Sequence, residues 1–173
     1  MPVLLSTVSV LDGLSQRLSR FIAWLPVVMA ALTVVVVILR YGFGVGAIAA
    51  QESVIYLHGT LFMLGASCTL QAGEHVRVDV LYQRFNARKR AWVNALGHVV
   101  FTLPLCALIG FSSLDYVIES WSTLETSAEP GGIPAVFLLK TLLPVMAALL
   151  ALQGLSEIFK SLVTLVEEAP DGN

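Results

Sequence analysis

Four long apolar segments set the terms for this chain, at about residues 21–39, 52–70, 92–114 and 133–159. A helix rising 1.5 Å per residue needs about 20 residues to cross roughly 30 Å of hydrocarbon. The four segments have that scale, and their backbone amides could find no partner in lipid except within the segment itself. The expected fold class is therefore an all-α integral membrane protein with four transmembrane helices. Residues 1–173 read as one membrane domain. Composition agrees: at 57% hydrophobic and 13% charged residues, the chain is too apolar for an ordinary soluble domain.

Between the second and third segments lies GEHVRVDVLYQRFNARKR, residues 73–90, which holds five of the ten basic residues. Val78, Leu81, Tyr82 and Phe85 recur there at i, i+3, i+4 and i+7, while Arg77, Asp79, Gln83, Arg84 and Arg88 take other directions. That pattern predicts an amphipathic helix lying in the membrane interface, its basic side toward headgroups. Arg84, Arg88, Lys89 and Arg90 are the candidate contacts for anionic lipid, each worth about 1 kcal/mol near the surface. His75, with Glu74, Arg77 and Asp79 nearby, reads as a hydrogen-bonded corner where the belt leaves the second span.

Taken in order, the chain begins MPVLLSTVSVLDGLSQRLSRF, mildly amphipathic, with Arg17 and Arg20 just ahead of the first apolar run. That run is long enough to span and no A-x-A-like site follows it, so a retained helix is expected rather than a signal peptide. Pro26 falls in its first turns, where proline is tolerated best. Arg40 and Tyr41 close it as interfacial anchors. The second span carries Gly59, Gly65, Ala66 and Ser67, small residues that let helices approach closely. In the third, Pro104 is expected to kink the helix. An acidic connection follows at residues 115–132, with Asp115, Glu119, Glu125 and Glu129 and no basic residue. The fourth span is interrupted by Lys140 and Pro144.

Counting Lys and Arg orients the bundle. Arg17, Arg20, the five belt residues and Lys160 fall on one side, and Arg40 alone on the other. The positive-inside rule then places both termini and the belt in the cytoplasm and the acidic connection outside.

Few groups could carry chemistry. Cys68 and Cys106 lie in apolar segments and read as small core residues. No zinc, phosphate-loop or nucleophile-elbow spacing occurs, so no catalytic residue, cofactor or metal is expected. Nucleic acid is not an expected partner, because the basic cluster is short and pinned between spans. His58 and His98 raise the alternative of a haem- or quinone-binding membrane anchor of an electron-transfer complex. Their expected levels differ by roughly 12 Å at 1.5 Å per residue, too far for two axial ligands on one iron. Lys140, inside the outer end of the fourth span, needs a partner. Glu52, at the outer end of the second span, is the expected one, with Glu125 and Glu129 as alternatives. A four-helix chain with small-residue faces and no evident path of its own reads as a scaffold subunit.

The residues also resemble a known family, the small membrane (DctQ-like) subunits of tripartite ATP-independent periplasmic (TRAP) transporters. Arg40-Tyr41-x-Phe43-Gly44 resembles that family's RYxFG, and Glu52 opens the second span as its acidic residue does. LFMLGAS, with Gly65, resembles its glycine-alanine segment. GEHVRVDVLY is similar to its most specific signature, matched here by Gly73, His75, Arg77 and Asp79. YLHGTLF, Arg90-Ala91-Trp92, Ser120-Trp121, ETSAEPGG and LLKTLLP are similar to a subgroup serving mannitol, chloroaromatic or 2-oxo-acid uptake. One departure is that Ala50 and Gln51 stand where many relatives place a tryptophan. The resemblance implies a bacterial inner-membrane scaffold subunit of a sodium-coupled symporter for organic acids, with no enzymatic activity. Its implied partners are a large DctM-like membrane subunit and a periplasmic substrate-binding protein. Glu119, Trp121, Glu125 and Glu129 would be candidate contacts for the binding protein.

Overall fold

The computed structural model of the chain describes residues 2–73 and 85–167. Its elements are α1 (Pro2–Ile22), α2 (Leu25–Gly42), α3 (Ile48–Gln71), α4 (Ala87–Gly97), a π-helical turn (His98–Thr102), α5 (Leu103–Ser122) and α6 (Val136–Glu167). Four helical stretches among the described residues are long and apolar enough to cross a membrane: Ser6–Gly42, Ile48–Gln71, Ala87–Ser122 and Val136–Val166. The protein is thus an all-helical, multi-pass membrane protein. Its middle belt residues, His75, Arg77, Asp79 and Arg84 among them, lie outside the described residues.

The first of these stretches is two helices. Pro26 stands in the first turn of α2 and has no N–H to give to the Ile22 carbonyl. The chain turns at Ala23 and Trp24, where the Trp24 amide bonds Phe21 O at 3.3 Å. The helix joint therefore falls at the proline, and the N-terminal amphipathic stretch becomes an element in its own right.

The third stretch begins earlier than its apolarity alone indicates. The Asn86 side chain caps α4 by accepting the Lys89 amide at 3.0 Å. Arg88, Lys89 and Arg90 stand in the first turn of this long helix, beyond any flat belt, and Arg90 Nε donates to Phe85 O at 2.9 Å. At the other end of the belt Gly73 adopts φ +72° just past α3, a left-handed conformation that glycine accepts without strain.

The expected break at Pro104 takes a particular form. The Leu103 amide bonds His98 O, five residues back, so one widened turn directly precedes the proline. A wide turn makes room for the pyrrolidine ring, which would otherwise press on the Val100 carbonyl. His98 Nδ1 and Thr102 Oγ1 lie 3.1 Å apart across it.

α6 is the post of the bundle. It packs against α5, α3, α4 and α1, whereas α2 leans on α3. Close approach rests on small residues: a Cβ placed on Gly110 would meet that of Ala147 at 3.7 Å. Ala147 is 3% exposed and Cys106 4%. In lipid there is little hydrophobic force between helices, so such dispersion contacts and interhelical hydrogen bonds carry the association.

Near the C-terminal end of α6 a polar network ties down α1. Asp12 forms an ion pair with Lys160 at 2.8 Å. Its carboxylate also accepts Ser156 Oγ at 2.8 Å and Gln153 Nε2 at 3.1 Å. Ser15 Oγ donates to Gln153 Oε1 at 2.7 Å, and the Cys68 thiol reaches Ser15 O at 3.4 Å. Glu157 completes the set through Lys160 at 2.7 Å. Gln153 and Ser156 are 1% and 0% exposed, and both have found their partners inside the protein. Replacing Gln153 with Leu takes the acceptor from Ser15 and one of three partners from Asp12, and should cost about 1–3 kcal/mol. The expected readout is a lower thermal midpoint and faster proteolytic release of α1; an unchanged midpoint would mean something else holds α1.

Candidate functional site: the clasp at the acidic connection

The opposite end of the bundle gathers the acidic connection, the start of α3 and the start of α6. α5 ends at Ser122, and the chain reverses through Leu124 at φ +46°, an uncommon left-handed conformation for a branched residue. The reversal lets the Glu125 amide bond Ser120 O at 3.0 Å, while Glu125 O accepts the Val136 amide at 3.1 Å. Glu125 is thereby held between the end of α5 and the beginning of α6.

Its carboxylate accepts Ser120 Oγ at 2.6 Å and forms an ion pair with Lys140 Nζ. The ammonium also lies 3.9 Å from the centroid of the Tyr116 ring, a cation–π contact that strengthens where water is scarce. Lys140 is 15% exposed at its side chain and Glu125 37%. The hydrogen bonds from Lys140 and then from Ser120 hold the Glu125 carboxyl below the usual carboxylate range, against the upward push of burial. A depressed value means its contribution is complete above the unfolded-state value of about 4.3. That contribution fades as pH falls through the lower folded value.

Glu52 does not pair with Lys140, contrary to expectation. It accepts the Ser127 hydroxyl and, at 2.6 Å, the Ile133 amide. The physical reason is proximity along the chain: the connection that carries Glu125 runs straight into α6, whereas Glu52 reaches the same connection from α3 and is met there by Ser127. Pro130-Gly131-Gly132 makes the fit possible. A Cβ on Gly132 would collide with Ser127 and stand 2.7 Å from Glu52 Oε1. Trp121 adds a second strap, its Nε1 donating to Thr141 Oγ1 at 2.8 Å and its ring meeting Phe137 edge-on at 4.6 Å.

The remaining candidates disperse. Arg40 and Tyr41 stand in the exposed last turn of α2, Tyr41 at 82%. Gly65 faces Ile22, whose Cδ1 would lie 3.7 Å from an added Cβ. Glu119 and Glu129 are exposed, whereas Glu125 is engaged in the clasp. Trp121 is half-exposed beside its strap. The Asp12–Gln153–Ser156–Lys160 network at the other end went unread in the sequence. A signal existed: Gln153, Ser156, Glu157 and Lys160 repeat at i, i+3, i+4 and i+7, one polar stripe on an otherwise apolar helix.

Comparison with known proteins decides what such a bundle is. The DctQ component of the tripartite ATP-independent periplasmic transporters matches residues 29–164, 136 of 173 residues. The chain belongs to this family. No curated protein and no solved structure matches it. This DctQ component is accordingly part of a tripartite transporter. The match takes in Glu52, Glu125 and Lys140, the whole clasp, while all of α1, with Asp12 and Ser15, precedes it.

In a double-mutant cycle, Lys140→Met and Glu125→Gln should each lower the yield and thermal midpoint of the folded subunit. Together they should lose less than the sum of the two. The coupling should exceed that between Lys140→Met and Glu52→Gln. Additive losses at Lys140 and Glu125 would contradict the ion pair.

Proposed function

We propose that this DctQ component is the small scaffold subunit of a sodium-coupled, binding-protein-dependent secondary transporter for organic acids. It anchors a large DctM-like subunit in the bacterial inner membrane, with both of its own termini and the belt on the cytoplasmic side. The large subunit carries the substrate and sodium sites, and a periplasmic binding protein delivers substrate to it. The family match over residues 29–164 is the observation that carries this reading. A physical feature supports it: the two lysines of α6, Lys140 and Lys160, are both neutralised by carboxylates of the same chain. Charges locked in structural pairs suit a rigid support better than a moving ion path.

Within the same reading, Arg84, Arg88, Lys89 and Arg90 hold anionic lipid at the cytoplasmic face, and His75 with Asp79 fixes the corner above them. On the periplasmic face, Glu119, Glu129 and the edge of Trp121 are the groups left to meet the binding protein, because Glu125 is occupied by Lys140 and Ser120. The test is co-expression with the large subunit. The large subunit should co-purify through a tag on the small one. The small subunit reconstituted alone should take up no organic acid and show no haem or quinone absorption. Transport by the small subunit alone, or failure to retain the large one, would overturn the proposal.

A further inference from the structure

One polar side chain on the surface of the bundle lacks what the membrane demands of it. His58 stands on α3 six residues inward of Glu52, roughly 9 Å deeper at 1.5 Å per residue. It is exposed, and among the described residues no hydrogen bond to its ring is found. An imidazole is too short to reach the interface from that depth, and an unbonded polar group in hydrocarbon is costly. Its neighbours on the span surface are treated differently. Thr33, Thr60 and Thr69 each bond a carbonyl four residues back on their own helix, at 2.8 to 2.9 Å.

His58 opens onto a groove of about 320 Å³ that α3 and α5 flank and α6 floors, with Met63, Tyr116, Leu139 and Lys140 among its walls. Lys140 brings no anion-accepting demand there, since Glu125 already neutralises it. What the groove still needs is an apolar body to fill it and one acceptor at the level of His58. The exposed side of α2 makes no such demand: Val27, Val28, Val34, Val35, Val37 and Ile38 are an aliphatic face that lipid tails satisfy.

We propose that this groove seats a membrane-spanning helix of the large transporter subunit, which presents a carboxylate, carboxamide or carbonyl acceptor to the His58 ring. The inference rests on the reading of this chain as the small subunit of a two-component membrane assembly. A lipid is a poor occupant because its phosphate and ester oxygens lie nearer the interface than His58.

The experiment uses the co-expressed complex, with a photo-cross-linking residue placed in turn at Ile55 and Met63 on the groove and at Val35 on α2. Adducts with the large subunit are expected from Ile55 and Met63 and not from Val35. In parallel, His58→Leu should reduce recovery of the large subunit roughly five- to tenfold, the scale of one interhelical hydrogen bond in a membrane. His58→Gln should retain it. Both variants alone should melt close to the unaltered subunit, because no hydrogen bond to the His58 ring is lost among the described residues. Cross-links to lipid or to a second copy, with the large subunit still co-purifying, would overturn the groove assignment and leave the scaffold reading intact. If the unaltered subunit retains no large partner, the scaffold reading fails and the groove assignment falls with it.

Discussion

A lysine near the start of a membrane-spanning helix must be neutralised by something the fold carries to it, and much of the half of this protein around the acidic connection follows from that demand. Lys140 cannot leave α6, so the connection before it folds back through Leu124 and delivers Glu125. That path brings Ser127 and the Ile133 amide to Glu52, which ties α3 to the same loop. Removing one partner would leave a charge at the edge of hydrocarbon, where truncation of half a pair costs more than the pair contributes when intact. One intramembrane charge thus organises three helices and a loop.

The opposite end repeats the logic with different parts. Lys160 is met by Asp12 and Glu157, and the uncharged members Gln153, Ser15 and Ser156 satisfy the remaining lone pairs and protons. α6 therefore has a polar station toward each end and a small-residue seam between them, where Ala147 packs against Gly110 and Cys106 is buried. A post fastened at two levels has little freedom to rock. Such stiffness is what the proposed scaffold role requires.

Much of this was legible in the sequence, and the limits have physical causes. Span number and helix type followed from the length of the apolar runs, which tertiary context rarely overrides in lipid. The need of Lys140 for a carboxylate was equally plain. Which carboxylate was not, because the choice turns on the backbone reversal at Leu124, a left-handed position that no composition rule assigns to leucine. The role of α1 was missed for a related reason. Asp12 and Ser15 look like ordinary polar positions on a terminal amphipathic stretch until the stripe from Gln153 to Lys160 is laid beside them. The belt was read as one element through Arg90, but Asn86 caps the next helix earlier, so the last three basic residues belong to a helix that enters the membrane.

The central claim is that this DctQ component behaves as one rigid body while its large partner moves. Distances between spin labels test it directly, with labels at Ile38 on α2 and Ile118 on α5, both exposed, and with Cys68 and Cys106 replaced. In the complete transporter the account predicts one narrow distance distribution, unchanged on adding sodium, substrate and loaded binding protein. A second distance that grows in during turnover would contradict it.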